Sequence, residues 1–157
     1  FFETWNSIYS NHALLRTAVN FIHVGGLMLG GGCAITADLA TIEAIREGPI
    51  GRSSQLHVLK RTHTIVVTGI AALVVSGLLL FAADTETFLH SWIFWVKMGM
   101  VALLLANGFL MTRAERALRE KPDPESTAWA RLHRASIVSL ALWFAITLAG
   151  VALVNAA

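Results

Sequence analysis

Apolar and polar positions in this chain separate on the scale of whole segments rather than single turns. Residues 17–37 carry no charge between Arg16 and Asp38, and residues 62–83 carry none between Arg61 and Asp84. Residues 90–112 contain Lys97 as their only formal charge, and residues 135–157 are uncharged after Arg134. A helix needs about 20 mostly apolar residues to cross the hydrocarbon of a bilayer. Each stretch meets that length, and backbone groups in lipid must be satisfied within the segment, which selects helices over open strands. The short alternating segments of a membrane barrel are absent. The pattern predicts one all-α domain over residues 1–157, an integral membrane four-helix bundle with short antiparallel connections.

Composition sharpens that reading. Apolar residues make up 55% of the 157 and charged residues only 14%, and mean hydropathy is +0.63. Soluble domains carry about 25% charged residues, so a soluble enzyme and a disordered chain are both excluded. The lone Cys33 excludes an intrachain disulfide framework. The net charge of +2 and pI near 9.1 point to topology rather than to nucleic acid. One side of the predicted bundle holds Arg46, Arg52, Lys60, Arg61, Arg113, Arg116, Arg119, Lys121, Arg131 and Arg134; the other holds Arg16 with Asp84 and Glu86. By the positive-inside rule the basic loops are cytoplasmic and both termini lie on the outer, periplasmic side of a bacterial inner membrane. Residues 1–15, with Trp5 and Tyr9 among polar neighbours, read as an interfacial segment, and their apolar run is too interrupted for a cleavable signal peptide. Residues 113–120 read as a continuation of the third helix, broken at Lys121-Pro122-Asp123-Pro124.

The second and fourth spans also align without a gap. Leu59-Lys60-Arg61 falls against Leu132-His133-Arg134, and Ser76-Gly77-Leu78 against Ala149-Gly150-Val151. In the odd-numbered spans His23 falls opposite Lys97 and Gly25 opposite Gly99. Two such hairpins make a parallel repeat, an arrangement that transporters and haem bundles both use.

Ionisable groups inside a span are costly and mark functional positions. His23 and Lys97 each lie about six residues from the outer end of their spans, roughly 9 Å along a helix, so they share a depth. Imidazole ligates iron or copper, and a lysine amine ligates or pairs with a propionate. The plainer alternative has His23 bonded to a neighbouring helix and Lys97 snorkelling to the interface. Gly25, Gly26, Gly30, Gly31 and Gly32 follow His23; they suit close helix packing and equally the approach of a flat macrocycle. At the basic side His63 and His133 are candidates for a second pair of axial ligands, with Arg61 and Arg134 as propionate or phosphate partners; histidines and arginines there also serve as topology anchors. Met28, Met98, Met100 and Met111 are the soft donors that a copper site would draw on. His90 sits above Lys97, and His12 reads as a surface residue. There is no covalent-haem Cys-x-x-Cys-His, no glycine-rich phosphate loop and no His-Glu-x-x-His. The predicted spans hold no carboxylate, which argues against an Asp or Glu proton relay.

His23 in span one, Arg61 entering span two, and Trp92-Ile93-Phe94-Trp95-Val96-Lys97 in span three form a pattern. It resembles the bacterial membrane proteins of the HemJ-type protoporphyrinogen oxidase and CopD-like copper-resistance superfamily. The likeness covers most of the membrane portion and implies haem and activity associated with His23 and Lys97. The chain departs from the HemJ type at residues 37–41 and at Ala106-Asn107-Gly108, so the resemblance carries the bundle rather than the particular oxidase reaction. The leading expectation is an inner-membrane protein that binds one or two b-type haems noncovalently and takes part in membrane redox chemistry, as an oxidoreductase or an electron relay. His23 is its principal axial ligand, and quinone or porphyrin is the candidate substrate class. The alternatives are a non-catalytic subunit packed against partner membrane subunits or copies of itself, and a copper-handling protein using His23 and the methionines.

Overall fold

The computed structural model describes residues 2–120, 123 and 126–156. Its chain order is α1 (Phe2–Asn11), α2 (Ala13–Gly26), a π-helical turn (Leu27–Gly31), α3 (Gly32–Glu47), α4 (Pro49–Ala83), α5 (Thr85–His90), α6 (Trp92–Glu120) and α7 (Thr127–Ala156). Four continuous helical stretches are long and apolar enough to cross a membrane: Ala13–Glu47, Pro49–Ala83, Trp92–Glu120 and Thr127–Asn155. The protein is therefore an all-α, multi-pass membrane protein whose long helices pack as a bundle.

These helices overrun the spans predicted from hydropathy. A 35-residue helix such as α4 is about 52 Å long at 1.5 Å per residue, against roughly 30 Å of hydrocarbon. The surplus lies at the basic end. What the charge pattern predicts as a 1–2 loop is helix almost throughout, and the reversal is compressed into Gly48. Its φ of 89° is a left-handed value that glycine adopts freely, and Pro49 then opens α4 at a position where its missing N–H costs nothing. The projecting ends share a core of Leu59, Ala114, Leu118, Ala128, Trp129 and Leu132. Leu132 and Leu118 are among the most deeply buried side chains in the molecule. The α6 helix continues through Glu120, as its sequence predicts; the predicted break at 121–124 falls, Asp123 apart, outside the described residues.

The first and second spans approach each other backbone to backbone. A Cβ on Gly26 would stand 3.0 Å from the Gly69 carbonyl oxygen, and one on Gly30 3.1 Å from the Gly69 carbonyl carbon. A Cβ on Gly69 would in turn strike the Gly30 backbone. Backbone-to-backbone packing of this kind is what small residues at i and i+4 permit in lipid, where apolar burial no longer drives association. Gly31 abuts the indole of Trp143: a Cβ there would stand 3.1 Å from the ring, and this contact seats the π turn on α7. Leu104, Trp143 and Ile146 form the second core beneath it. α6 packs mainly on α7, and α3 on both α4 and α7; α4 and α6 have no comparable backbone approach among the described residues. The N-terminal α1 lies against the end of α4, where the Trp5 indole N–H donates to the Leu79 carbonyl at 2.9 Å.

Candidate cofactor site

His23 lies on α2 one turn before the π segment and faces α4. Its Nδ1 is 2.9 Å from the Ser76 hydroxyl oxygen, and that hydroxyl donates to the Ala72 carbonyl in its own helix at 2.6 Å. With the hydroxyl proton directed to Ala72, the matching tautomer has Nδ1–H donating to Ser76. The neutral imidazole then carries its lone pair on Nε2. Ligating histidines are characteristically held this way, with the far ring N–H bonded to an oxygen that fixes tautomer and ring plane. Beneath the ring, His23 Cε1 is 3.5 Å from where a Cβ on Gly77 would lie, so Gly77 is the floor on which the imidazole rests.

Lys97 reaches the same region from α6. Its Nζ is 3.4 Å from the Cβ position of Gly150 on α7. Both residues are half-buried. The two halves of the bundle thus repeat one contact: a polar side chain from an odd-numbered span lies over a glycine of the next span. His23 on Gly77 and Lys97 on Gly150 are the positions that the half-to-half alignment sets opposite each other. Gly25 and Gly99, also aligned, both face open space. An imidazole anchored through one ring nitrogen, and an amine, each beside bare glycine surface, are donor types that haem iron or its propionates would use. Among the described residues no group of three or more His, Cys, Asp or Glu converges as a metal site.

The second predicted cluster does not come together around one cavity. His63 borders a cavity of about 260 Å³ between the four helices, with Asp38 and Glu115. His133 borders a separate open groove at the basic end, with Arg52, Trp129 and Arg134. The Arg52 guanidinium lies over the Trp129 ring, 5.5 Å from its centroid, and Arg134 Nε donates to the Ala130 carbonyl at 3.4 Å. Arg61 is exposed and borders neither. The methionines do not gather round His23. Met28 and Met98 point outward, Met100 packs with Leu104, and Met111 lies against the Leu118 core. His90 and His12 are each within hydrogen-bond distance of a carbonyl one turn back in the chain, Glu86 and Ile8.

One polar residue of the interior reverses a sequence expectation. Asp38 marks the end of the first apolar stretch, and the spans as predicted hold no carboxylate. In the structure the helix runs on to Glu47, and Asp38 is 2% exposed within the bundle. Ser136 and Ser139 of α7 turn their hydroxyls toward it. Their hydroxyls stand beside the carboxyl, with Asp38 Oδ2 and Ser136 Oγ both buried and outside strict hydrogen-bond geometry. The signal was present in the sequence: small and apolar residues continue past Asp38 at helical spacing through Ala40, Thr41, Ala44 and Ile45.

Comparison of the chain with family models, with curated proteins and with solved structures yields no match.

Proposed function

We propose that the protein binds a b-type haem noncovalently and serves membrane redox chemistry, with His23 as an axial ligand. The observation that carries this reading is the His23–Ser76 pair at 2.9 Å, a network that suits the tautomer with its proton on Nδ1 and its lone pair on Nε2. Lys97 is the opposite ligand or the partner of a propionate. Haem supplies a one-electron couple, whose potential is tuned by axial ligands and by the dryness of the surroundings. This chain's part is to hold the imidazole plane against Gly77, to place a cation beside it and to exclude water. The pattern of His23, Arg61 and Lys97 supports kinship with the HemJ-type and CopD-like bundles. The excess of arginine and lysine at the basic end supports a bacterial inner-membrane protein with that end in the cytoplasm and both termini outside.

The test is an oxidised and dithionite-reduced visible spectrum of detergent-purified protein from haem-replete cells, with a pyridine haemochrome assay. The reading expects a Soret band at one haem per chain that is lost in His23→Ala. A colourless wild type, or full haem occupancy with unchanged reduced bands in His23→Ala, would overturn the ligand assignment.

A further inference from the structure

The cavity holding Asp38 opens sideways. α4 and α6 are clasped at two places. At one end Phe81 stacks on Phe94, with ring centroids 5.5 Å apart and planes inclined by 13°. At the other the Arg119 guanidinium donates to the Leu56 carbonyl. Between these clasps the two helices do not pack closely, and the cavity reaches the surface there. Its rim residues His63 and Val67 on α4, and Leu105 and Gly108 on α6, are all exposed. A rim placed between two membrane-spanning helices faces lipid, so whatever enters comes from the bilayer.

The interior is an apolar slot with one acceptor end. Trp143, Leu104 and Ile70 line the body, and Asp38, Ser139 and Glu115 line the polar part. Asp38 is buried beside the Ser136 and Ser139 hydroxyls, its Oδ2 outside strict hydrogen-bond geometry to any protein group, and a carboxylate has acceptor sites for a further donor beyond two serines. The volume, about 260 Å³, lies just under the roughly 300–1,000 Å³ of drug-sized sites. It accommodates one substituted ring and excludes a macrocycle. We propose that this cavity is a binding site for the ring of a lipid-soluble quinol, entering between α4 and α6 and donating a hydroxyl hydrogen bond to Asp38. The indole of Trp143 supplies a flat face for the ring, and the isoprenoid tail stays in the bilayer through the portal. The site is distinct from the haem reading, because neither His23 nor Lys97 lines it.

The experiment is calorimetric titration of haem-free protein in phosphatidylcholine nanodiscs with decylubiquinol under argon, with empty nanodiscs correcting for partition. One saturable site per chain is expected. Asp38→Leu should weaken it at least tenfold, and decylubiquinone, which lacks the hydroxyl donors, should bind at least tenfold more weakly than the quinol. Gly108→Trp provides an independent variant: a Cβ there meets nothing within 4 Å, so it obstructs the portal without disturbing the core. It should also weaken binding at least tenfold at unchanged helix content. Absence of saturable quinol binding, or binding indifferent to both substitutions, overturns the proposal. So does Asp38-dependent binding of decyltriphenylphosphonium without quinol binding, which would make the cavity a cation site. Since the protein is titrated without haem, failure here leaves the spectral test of His23 standing, and the reverse holds equally.

Discussion

His23 Nδ1 and the Ser76 hydroxyl oxygen lie 2.9 Å apart across the α2–α4 interface, and the serine proton is already given to the Ala72 carbonyl. In that network Nδ1 donates to Ser76 and the lone pair falls on Nε2. Removing an outer partner of a ligating histidine typically costs about 10–100-fold in affinity. Ser76→Ala is expected to lower haem affinity within that range and to broaden the reduced bands, while Ser76→Thr, which retains the hydroxyl, stays near wild type. Haem titration of the three proteins, read at the Soret maximum, checks it.

The approach of Gly69 to Gly26 and Gly30 is backbone against backbone, so no side chain can move aside to admit a larger residue. Overpacking a close interface costs about 1–3 kcal/mol. Gly69→Val is expected to destabilise the bundle by at least that much, whereas Gly25→Ala, at a position facing open space, should be neutral within error. Unfolding of both variants in mixed detergent micelles, followed by circular dichroism, reads the difference.

Asn107 is buried on α6 and donates from Nδ2 to the Ala135 carbonyl of α7 at 2.8 Å. Interhelical hydrogen bonds in membranes average about 0.6 kcal/mol and reach about 1.7. Asn107→Leu should destabilise the bundle by an amount in that interval, with no change in the His23 spectrum, since the bond joins α6 to α7 only. The same unfolding assay measures it, and a loss above about 3 kcal/mol would show that the amide does more than bridge two helices.

The orientation proposed from charge has a direct check. In a Cys33→Ala background, Glu86→Cys in α5 should react with a membrane-impermeant maleimide added to intact spheroplasts. Glu47→Cys, beside the Gly48 reversal, should react only after permeabilisation. Both side chains are exposed, so labelling reports sidedness rather than burial. The opposite pattern would invert the topology.

The four spans and the concentration of arginine and lysine at one end were readable directly, because hydropathy and charge are summed along the chain and need no knowledge of neighbours. The equal depth expected of His23 and Lys97 rests on a related count, of residues along helices of fixed rise. The site's tautomer was not legible, since Ser76 is 53 residues away and nothing local says which helix face it shares. The length of the helices also escaped hydropathy. It depends on Gly48 accepting a left-handed turn and on a second core, around Leu118 and Leu132, that only packed ends create.

Asp38 shows where the division falls. Read along the chain it is a charge that ends an apolar run; read in the bundle it is a buried carboxyl facing Ser136 and Ser139. His63 and His133 both stand at the basic end of an even-numbered span, yet they border different cavities. Apolar helices are nearly uniform around their circumference, so sequence by itself determined what enters the membrane and at what depth. Which faces meet was decided by tertiary packing, through the rotation of each helix that the Gly30–Gly69 contact and the Trp143 ring impose.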